Sequence, residues 1–385
     1  MKGQHYSSTF LQLVFCSLAN SSTFVGKKRS MTLHLFNPEH DIALASNLKN
    51  FTAPHAGRQL RHDLGWLPAL WANEEDIVFV EDEASARRDL NRISTKLPIK
   101  PKALLSSSIN HNITNISVWG WNAALKSYLQ KKGINSNLMP SNETLKEIRD
   151  LSHRRTSSRI LSIITKIKDT IGTSEECSSE EEVNELVARW NKIVIKAPWS
   201  SSGRGVRFVD TIMSDTLKGW LRNIIKDQGS VIVEPYYNKV KDFGMEFEAL
   251  PNNSINYLGL SLFHTMNGAY TGNILATERW KLQAISQYIP TYLLQQVKQS
   301  LCEQLSIAFK NRYAGPFGID MMIVANAENS CFQLHPCVEI NLRRTMGHVA
   351  LALTERFNPQ NDDELQRVMR IAYESNQYKL KLQHL

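Results

Sequence analysis

The most informative stretch of the chain is His335-Pro336-Cys337-Val338-Glu339-Ile340-Asn341-Leu342-Arg343. Side chains on a β-strand alternate between two faces, so Glu339, Asn341 and Arg343 share one face and apolar residues take the other. Carboxylate and amide oxygens suit a hard cation such as Mg²⁺, and a guanidinium suits carboxylate or phosphate oxygens. A half-exposed strand with an ordinary polar face is the alternative, because alternation alone does not separate the two.

A second acidic residue precedes this strand. Asp320 lies in Gly318–Val324, an apolar segment that we expect to pair with the strand from Cys331 to Leu342 around a turn. If the two strands pair, Asp320, Glu339 and Asn341 converge on one cation site. The sequence therefore predicts a magnesium site on this strand pair.

The composition is ordinary for a soluble globular protein, with 42% hydrophobic and 21% charged residues among 385. The net charge of +8 favours anionic partners such as nucleotides, phosphates or carboxylates. Its basic residues form no continuous tract, which argues against nucleic acid as a partner. Five cysteines without a Cys-x-x-Cys favour a reducing cytoplasm over a disulfide framework. No apolar run approaches the roughly 20 residues of a membrane span, so we expect no membrane partner.

The beginning of the chain differs from the rest. Residues 10–19 form a short apolar segment that resembles a weak signal-peptide core. A strand-like segment, however, begins just after Met31. We expect Met31 to be the true start and residues 1–30 to be disordered or artefactual; secretion is the alternative.

From Met31 to about residue 140, strands alternate with helices, which predicts a parallel sheet with helices on its faces. A helical region opens at Ser141, a plausible N-cap, and strands dominate after residue 191. The predicted elements include strands at 32–36, 76–80, 116–119, 192–197, 205–209, 231–234, 244–250 and 255–263, and helices at 84–92, 121–132, 216–227, 290–311 and 364–378.

The segment Lys196-Ala197-Pro198-Trp199-Ser200-Ser201-Ser202-Gly203-Arg204-Gly205 connects two predicted strands. It is neither a Walker A loop nor a Rossmann glycine fingerprint, because both of these lead into a helix. A loop rich in serine and glycine offers backbone N–H groups and hydroxyls with little bulk, which suits a flap over a polyphosphate. Lys196 adds a positive charge at its base. A flexible hairpin connection is the alternative.

The segment Val231-Ile-Val-Glu-Pro-Tyr-Tyr237 is an apolar strand that breaks at Pro235. Such a strand end can present backbone groups to a flat heterocycle, and proline keeps its acceptor while it lacks a donor. Asp242, a few residues on, can accept hydrogen bonds from ribose hydroxyls. An ordinary buried strand followed by a turn is the alternative.

These parts, in this order, resemble the ATP-grasp superfamily over roughly residues 141–350. The Glu-Ile-Asn-x-Arg form is most similar to members such as biotin carboxylase and its relatives. The resemblance implies a Rossmann-like α/β domain at 31–140, followed by a two-lobed ATP-grasp domain. Its first lobe would span 141–235, and its second lobe 236–385 with a C-terminal helix.

The resemblance also implies roles for the residues that match the family pattern. Lys196 and Arg154 would offset phosphate charge, and Arg343 would bind the substrate acid or the acyl phosphate. The remaining implied nucleotide contacts are Ser201, Ser202, Gly203 and Gly205 in the flap, Glu234, Pro235 and Tyr237 at adenine, and Asp242 at ribose. The implied ligands of Mg²⁺, or of Mn²⁺, are Asp320, Glu339 and Asn341.

Two positions depart from the family pattern. Arg154 replaces a lysine that is common there, and the two side chains bind oxygens differently. Gly318 stands where some members have an arginine before the metal aspartate. The resemblance then assigns the oxyanion role to Arg343, Arg344 or Arg279.

The implied activity is an ATP- and Mg²⁺-dependent, ADP-forming ligase that joins a small carboxylic or amino acid to an amine through an acyl phosphate. A small-molecule kinase, a nucleotide-binding protein without turnover, and a basic nucleic-acid-binding module are the alternatives. The sequence identifies neither acid nor amine and leaves the oligomeric state open. Residues that line an acceptor pocket, or else serve as caps and turns, crowd the loops after the first strand: Asn37, Glu39, His40, Asp41, His55 and Arg58.

Overall fold

The computed structural model of the chain describes residues 30–109, 112–200, 204–266, 269–326, 331–357 and 367–384. The expectations for the N-terminal extension therefore lie, except at Ser30, outside the described residues. Three sheets organise the described part of the chain. No helix in these ranges is both long and apolar enough to cross a lipid bilayer.

The N-terminal unit contains a four-stranded parallel sheet with strand order β3-β2-β1-β4. This confirms the parallel α/β arrangement that the alternating elements predict. Its strands are β1 (Thr32–Leu35), β2 (Ile77–Phe79), β3 (Leu104–Ser106) and β4 (Asn115–Val118). Its helices are α1 (His40–Ser46), α2 (His55–Leu64), α3 (Glu83–Ser94) and α4 (Ala123–Lys131).

Asn37 joins two loops at the carboxyl end of this sheet. Its Nδ2 donates to Gly120 O at 2.8 Å, and its Oδ1 accepts from Gly120 N at 3.3 Å. The loop after β1 is thereby fixed to the loop after β4. Helix α1 begins three residues beyond Asn37, so its first turn is held at this edge.

Two helices and a small antiparallel sheet follow. The helices are α5 (Asn142–Leu151) and α6 (Arg154–Ile164), and Ser141 caps α5 as predicted, with its Oγ accepting from Thr144 N at 3.1 Å. The small sheet has the order β5-β8-β6-β7 and is covered by two helices. Its elements are β5 (Glu175–Cys177), α7 (Glu180–Trp190), β6 (Lys192–Lys196), β7 (Val206–Asp210), α8 (Asp215–Gln228) and β8 (Val231–Pro235).

A seven-stranded antiparallel sheet has the order β13-β12-β9-β10-β11-β14-β15. Its central strands bury Phe243, Phe247 and Phe317 against α5, α6 and a long helix. The elements are β9 (Lys239–Ala249), β10 (Ile255–Met266), β11 (Ala269–Leu275), α9 (Glu278–Ser286), α10 (Thr291–Phe309), β12 (Gly315–Ala325), β13 (Phe332–Asn341), α11 (Met346–Phe357), β14 (Arg367–Glu374) and β15 (Gln377–His384).

The predicted C-terminal helix at 364–378 is wrong over its described part, because β14 and β15 form an antiparallel hairpin from Arg367 onwards. Ser375 and Asn376 both have positive φ, 51° and 59°, as a tight two-residue hairpin turn requires. Leu380 and Leu382 are buried two residues apart, which is the strand period. The hairpin packs in the same apolar cluster as the helices of the N-terminal unit. Tertiary packing therefore makes this segment a β-hairpin, although its mixed charge favours an exposed helix.

Candidate active site

Arg154 connects three parts of the chain at the start of α6. Its Nη1 donates to Ala197 O at 2.5 Å and to Ser200 Oγ at 2.9 Å, and its Nη2 donates to Glu339 Oε1 at 2.7 Å. The preceding residue fixes the helix start, since His153 Nδ1 accepts from Arg155 N at 3.0 Å. Only 6% of the Arg154 side chain is exposed. The arginine therefore joins the loop after β6 to the acidic strand β13.

Lys196 and Glu234 form a buried ion pair on the neighbouring strands β6 and β8. Lys196 Nζ lies 2.7 Å from Glu234 Oε2. The same ammonium lies 3.5 Å from Val338 O on β13. The small sheet and the large sheet therefore meet at this lysine. The sequence analysis assigns Lys196 to the phosphates and Glu234 to adenine. In the structure the two side chains instead bind each other.

The predicted metal residues are adjacent on β12 and β13. Asp320 is directly opposite Glu339 in the strand register, and Asn341 Nδ2 donates to Asp320 Oδ2 at 3.1 Å. Burial, and then the nearby carboxylates of Glu339 and Glu246, raise the pKa of Asp320 to about 7. A cation between Asp320 and Glu339 would offset this repulsion, so the two carboxylates fit Mg²⁺. The Asn341 oxygen, in contrast, accepts from Arg343 Nη2 at 2.9 Å and would reach a cation only with its amide turned.

Arg343 is bound by the N-terminal unit. Its Nε and Nη2 donate to Asp41 Oδ1 and Oδ2 at 2.8 and 2.7 Å, the forked geometry that guanidinium and carboxylate favour. Although burial alone would raise the pKa of Asp41, the charge of Arg343 holds it below its usual value. Arg344, an alternative for the oxyanion role, instead places its guanidinium carbon 4.7 Å from the centre of the Trp71 ring. Arg343 is therefore the better placed of the two beside Asn341.

The raised pKa of Asp320 predicts a specific dependence of stability on pH. Because the folded protein binds this proton more tightly than the unfolded chain, this contribution to the free energy of unfolding is lost as pH rises from about 4 to about 7. The loss is at most about 4 kcal/mol, at about 1.4 kcal/mol per pKa unit. We expect Asp320→Asn to abolish this loss and to raise the free energy of unfolding at pH 8 relative to wild type. Denaturant unfolding at pH 5 and pH 8 in EDTA checks this.

The control for this prediction is Asp215→Asn, which removes an exposed carboxylate at the start of α8. It should keep the wild-type difference between the two pH values. If Asp320→Asn also kept that difference, Asp320 would not carry the raised pKa.

The remaining predicted nucleotide residues lie around this cluster. Asp242 accepts from Lys239 Nζ and from Thr265 Oγ1, each at 2.6 Å, and makes no direct bond to Lys196 or Glu339 among its described contacts. Tyr237 Oη accepts from Thr173 N at 2.9 Å. Pro235 ends β8 directly after Glu234.

The flap is described only at its ends, because Ser201, Ser202 and Gly203 lie outside the described residues. At the far end, Gly205 O accepts from Ala197 N at 2.8 Å. A Cβ on Gly205 would lie 2.4 Å from Ser200 Oγ, so this close approach requires glycine. The two described ends of the loop therefore approach each other at Ser200, which Arg154 contacts.

Two residues of the site, Ser200 and Glu246, are not among the site residues that the sequence predicts. Ser200 accepts from Arg154, and Glu246 on β9 lies opposite Gly318 and accepts from Thr345 Oγ1 at 2.8 Å. The signal for Glu246 is a single acidic residue between two buried apolar residues of one strand. For Ser200 the only signal is its place in the serine-rich loop.

His335 is buried beside Tyr237. Its ring is edge-on to Tyr237 at 5.4 Å, and burial lowers the pKa of His335 to about 4. Cys337 is buried, as expected of a structural cysteine. In the described ranges no three His, Cys, Asp or Glu side chains are grouped so as to hold a metal ion.

Comparisons with known proteins yield matches among solved structures. No family model and no curated protein matches the sequence. The N5-carboxyaminoimidazole synthetase from Staphylococcus aureus complexed with ADP is 13% identical, with a TM-score of 0.45, over 91% of this chain and 84% of that chain. The biotin carboxylase–β-γ-ATP complex from Campylobacter jejuni is 12% identical, with a TM-score of 0.47, over 90% and 76% of the two chains. D-alanyl-alanine synthetase A from Vibrio cholerae is 12% identical, with a TM-score of 0.43, over 86% and 99%.

The fold follows from the order and pairing of the chain's own elements. A parallel α/β unit comes first, a four-stranded antiparallel sheet follows, and a larger antiparallel sheet completes the chain. Arg154 and Lys196 from the middle part reach β13 of the last part. This is the arrangement that the sequence resemblance implies, an α/β unit followed by two further lobes.

Proposed function

We propose that this chain is an ATP- and magnesium-dependent, ADP-forming ligase that joins a small carboxylic or amino acid to an amine. The observation that carries the proposal is the meeting of two buried cations with an acidic strand pair. Arg154 and Lys196 reach β13 from one side, and Asp320 and Glu339 lie on β12 and β13 themselves. Cations and a carboxylate pair in one cleft suit a nucleotide triphosphate with its metal.

The cationic side chains account for phosphate binding. Lys196 and Arg154 are both buried, and charges in a buried site act more strongly than charges in water. In this proposal they bind the phosphates, together with Ser201, Ser202, Gly203 and Gly205 of the flap. The nucleoside contacts that we propose are Glu234, Pro235 and Tyr237 at adenine and Asp242 at ribose.

The acidic pair Asp320 and Glu339 is the metal site of this proposal. Asp320 and Glu339 would hold Mg²⁺ or Mn²⁺, with Asn341 joining them if its amide turns. When bound, the ion supplies positive charge beside the phosphates. Because the pKa of Asp320 is about 7, a bound cation would readily displace its proton to solvent near neutral pH.

The proposed reaction has two steps. An oxygen of the substrate carboxylate attacks the γ-phosphorus, the bond between that phosphorus and the β,γ-bridging oxygen breaks, and ADP leaves. The amine nitrogen then attacks the acyl carbon, the bond between carbon and phosphate oxygen breaks, and phosphate leaves while the amine loses a proton to solvent. Arg154 and Lys196 offset the charge of the moving phosphoryl group, and Arg343 donates to the oxyanion that forms on the acyl oxygen.

Trapping with hydroxylamine tests this proposal without knowledge of the amine. Amino acids, dipeptides and small diacids are screened for acid-dependent ADP formation, and the products are examined for a hydroxamate. We expect at least one acid to give both, and Glu339→Gln to give neither. A phosphorylated alcohol would instead show a kinase, and ATP binding without acid-stimulated ADP release would show a nucleotide-binding protein without turnover.

A further inference from the structure

A separate cavity of about 260 Å³ lies in the N-terminal unit. It sits at the carboxyl ends of β1 and β2, the edge where ligands bind in open α/β sheets. Its walls combine apolar and charged side chains. The apolar part includes Leu35, Ala43, Phe51, Phe79 and Leu125.

Glu39 is the group in this cavity that points to a ligand. One of its oxygens, Oε1, accepts from Arg61 Nη1. The other, Oε2, is buried and has no hydrogen-bond partner among the described residues. Only 10% of the side chain is exposed. A buried carboxylate oxygen without a donor is costly, so a cationic or N–H donor at this place would be stabilised.

The other charged groups of the cavity define the rest of the ligand. Arg61 is occupied by Glu39 and by Glu81, whose Oε1 accepts from Arg61 Nε at 2.7 Å. Arg58 is exposed, and among the described contacts only its Nη1 is used, donating to Ala53 O. A guanidinium has five N–H donors, so Arg58 keeps donors for an anion. The cavity is thus lined by two positive and two negative side chains. A ligand with one positive and one negative charge leaves the net charge of the cavity unchanged.

We propose that this cavity binds a small α-amino acid with an apolar side chain. Its ammonium would donate to Glu39 Oε2, its carboxylate would accept from Arg58, and its side chain would lie against the apolar wall. The size of the cavity, somewhat below the range of drug-sized sites, restricts the ligand to a small molecule. A simple amine would leave Arg58 unused, and a simple acid would leave Glu39 Oε2 without a donor.

The cavity adjoins the candidate active site through α1. Glu39 is the residue just before this helix and Asp41 lies in its first turn, so their side chains, two positions apart, point to different sides. Glu39 accordingly lines the cavity, whereas Asp41 holds Arg343. The proposal does not depend on the ligase activity, because every residue used for it belongs to the N-terminal unit.

Calorimetric titration of the full chain, without nucleotide, tests the proposal. The probes are alanine, valine, leucine, methionine and phenylalanine. For the probe that binds, the matched compounds are its N-acetyl derivative, which lacks the ammonium, and its amide, which lacks the carboxylate. We expect binding of the amino acid and at least about tenfold weaker binding of each derivative, since each derivative loses a hydrogen bond between charged groups.

Two variants locate the binding. Glu39→Gln keeps the shape of the side chain, and Glu39 makes no capping hydrogen bond to α1, so the helix start is preserved. Thr52→Trp fills the cavity from an exposed position. Both should weaken binding at least about tenfold, while Glu74→Gln, at an exposed acid outside the cavity, should bind like wild type.

Three results would overturn the proposal. These are no binding of any probe at millimolar concentration, equal binding of the N-acetyl derivative, and wild-type affinity in both Glu39→Gln and Thr52→Trp. Because the titration contains no nucleotide, a negative result leaves the hydroxamate assay to decide the ligase activity on its own. Likewise, a failed hydroxamate assay leaves this binding unaffected.

Discussion

We expect Arg343→Met to lower turnover by about 10²–10³-fold and to leave the affinity for MgATP within about threefold of wild type. The reason is geometric, because Arg343 lies beyond Asn341, on the side of the strand pair that contacts α1. In the proposed reaction its charge matters most when an oxyanion forms on the acyl carbon, and losing one such donor typically costs about 2.7–4 kcal/mol of barrier. Acid-dependent ADP formation gives the turnover, and titration gives the affinity.

The ion pair between Arg343 and Asp41 complicates the turnover measurement on Arg343→Met, and it also provides the control. Removal of Arg343 alone leaves Asp41 partly buried without its cation, which lowers the free energy of unfolding. Asp41→Asn together with Arg343→Met removes both charges. This double variant should regain stability but not turnover. A double variant that regained turnover, or a single variant whose MgATP affinity fell as far as its turnover, would show that Arg343 has no role in the chemistry.

The acidic strand pair illustrates what the sequence predicts well. Alternation along Glu339-Ile340-Asn341 and the apolar residues around Asp320 indicate two paired strands with acids on one face, and the structure confirms this pairing. The register does not follow from alternation, because the pairing shifts between Asp320 and Met322. That irregularity determines which residue lies opposite Asp320. A local pattern therefore predicts the presence of the pair but not its register.

Local sequence patterns do not predict contacts between distant parts of the chain. The partner of Arg343 is Asp41, 302 positions away, and nothing local to either residue indicates the other. The partner of Lys196 is Glu234, 38 positions away on a neighbouring strand. Both pairs depend on how the sheets pack. In the same way, Leu380 and Leu382 form a strand because the N-terminal unit offers them an apolar surface.

We expect Lys196→Met to lower the free energy of unfolding by about 3–5 kcal/mol, the usual cost of breaking a buried ion pair from one side. Lys196 and Glu234 are 7% and 5% exposed, so the carboxylate that remains has little access to water. The same substitution removes the cation that we assign to the phosphates. It should weaken MgATP binding about 10- to 100-fold, as expected for the loss of a charged hydrogen bond. Denaturant unfolding and nucleotide titration measure the two effects separately.

The matched variant that separates structure from function is Lys196→Met with Glu234→Gln. The neutral amide no longer needs a buried cation, so most of the lost stability should return. MgATP binding should stay weak, because the lysine is still missing and the glutamine does not replace its charge. If the double variant instead bound MgATP like wild type, the pair would serve only to join β6 to β8, and the phosphates would have to be placed elsewhere.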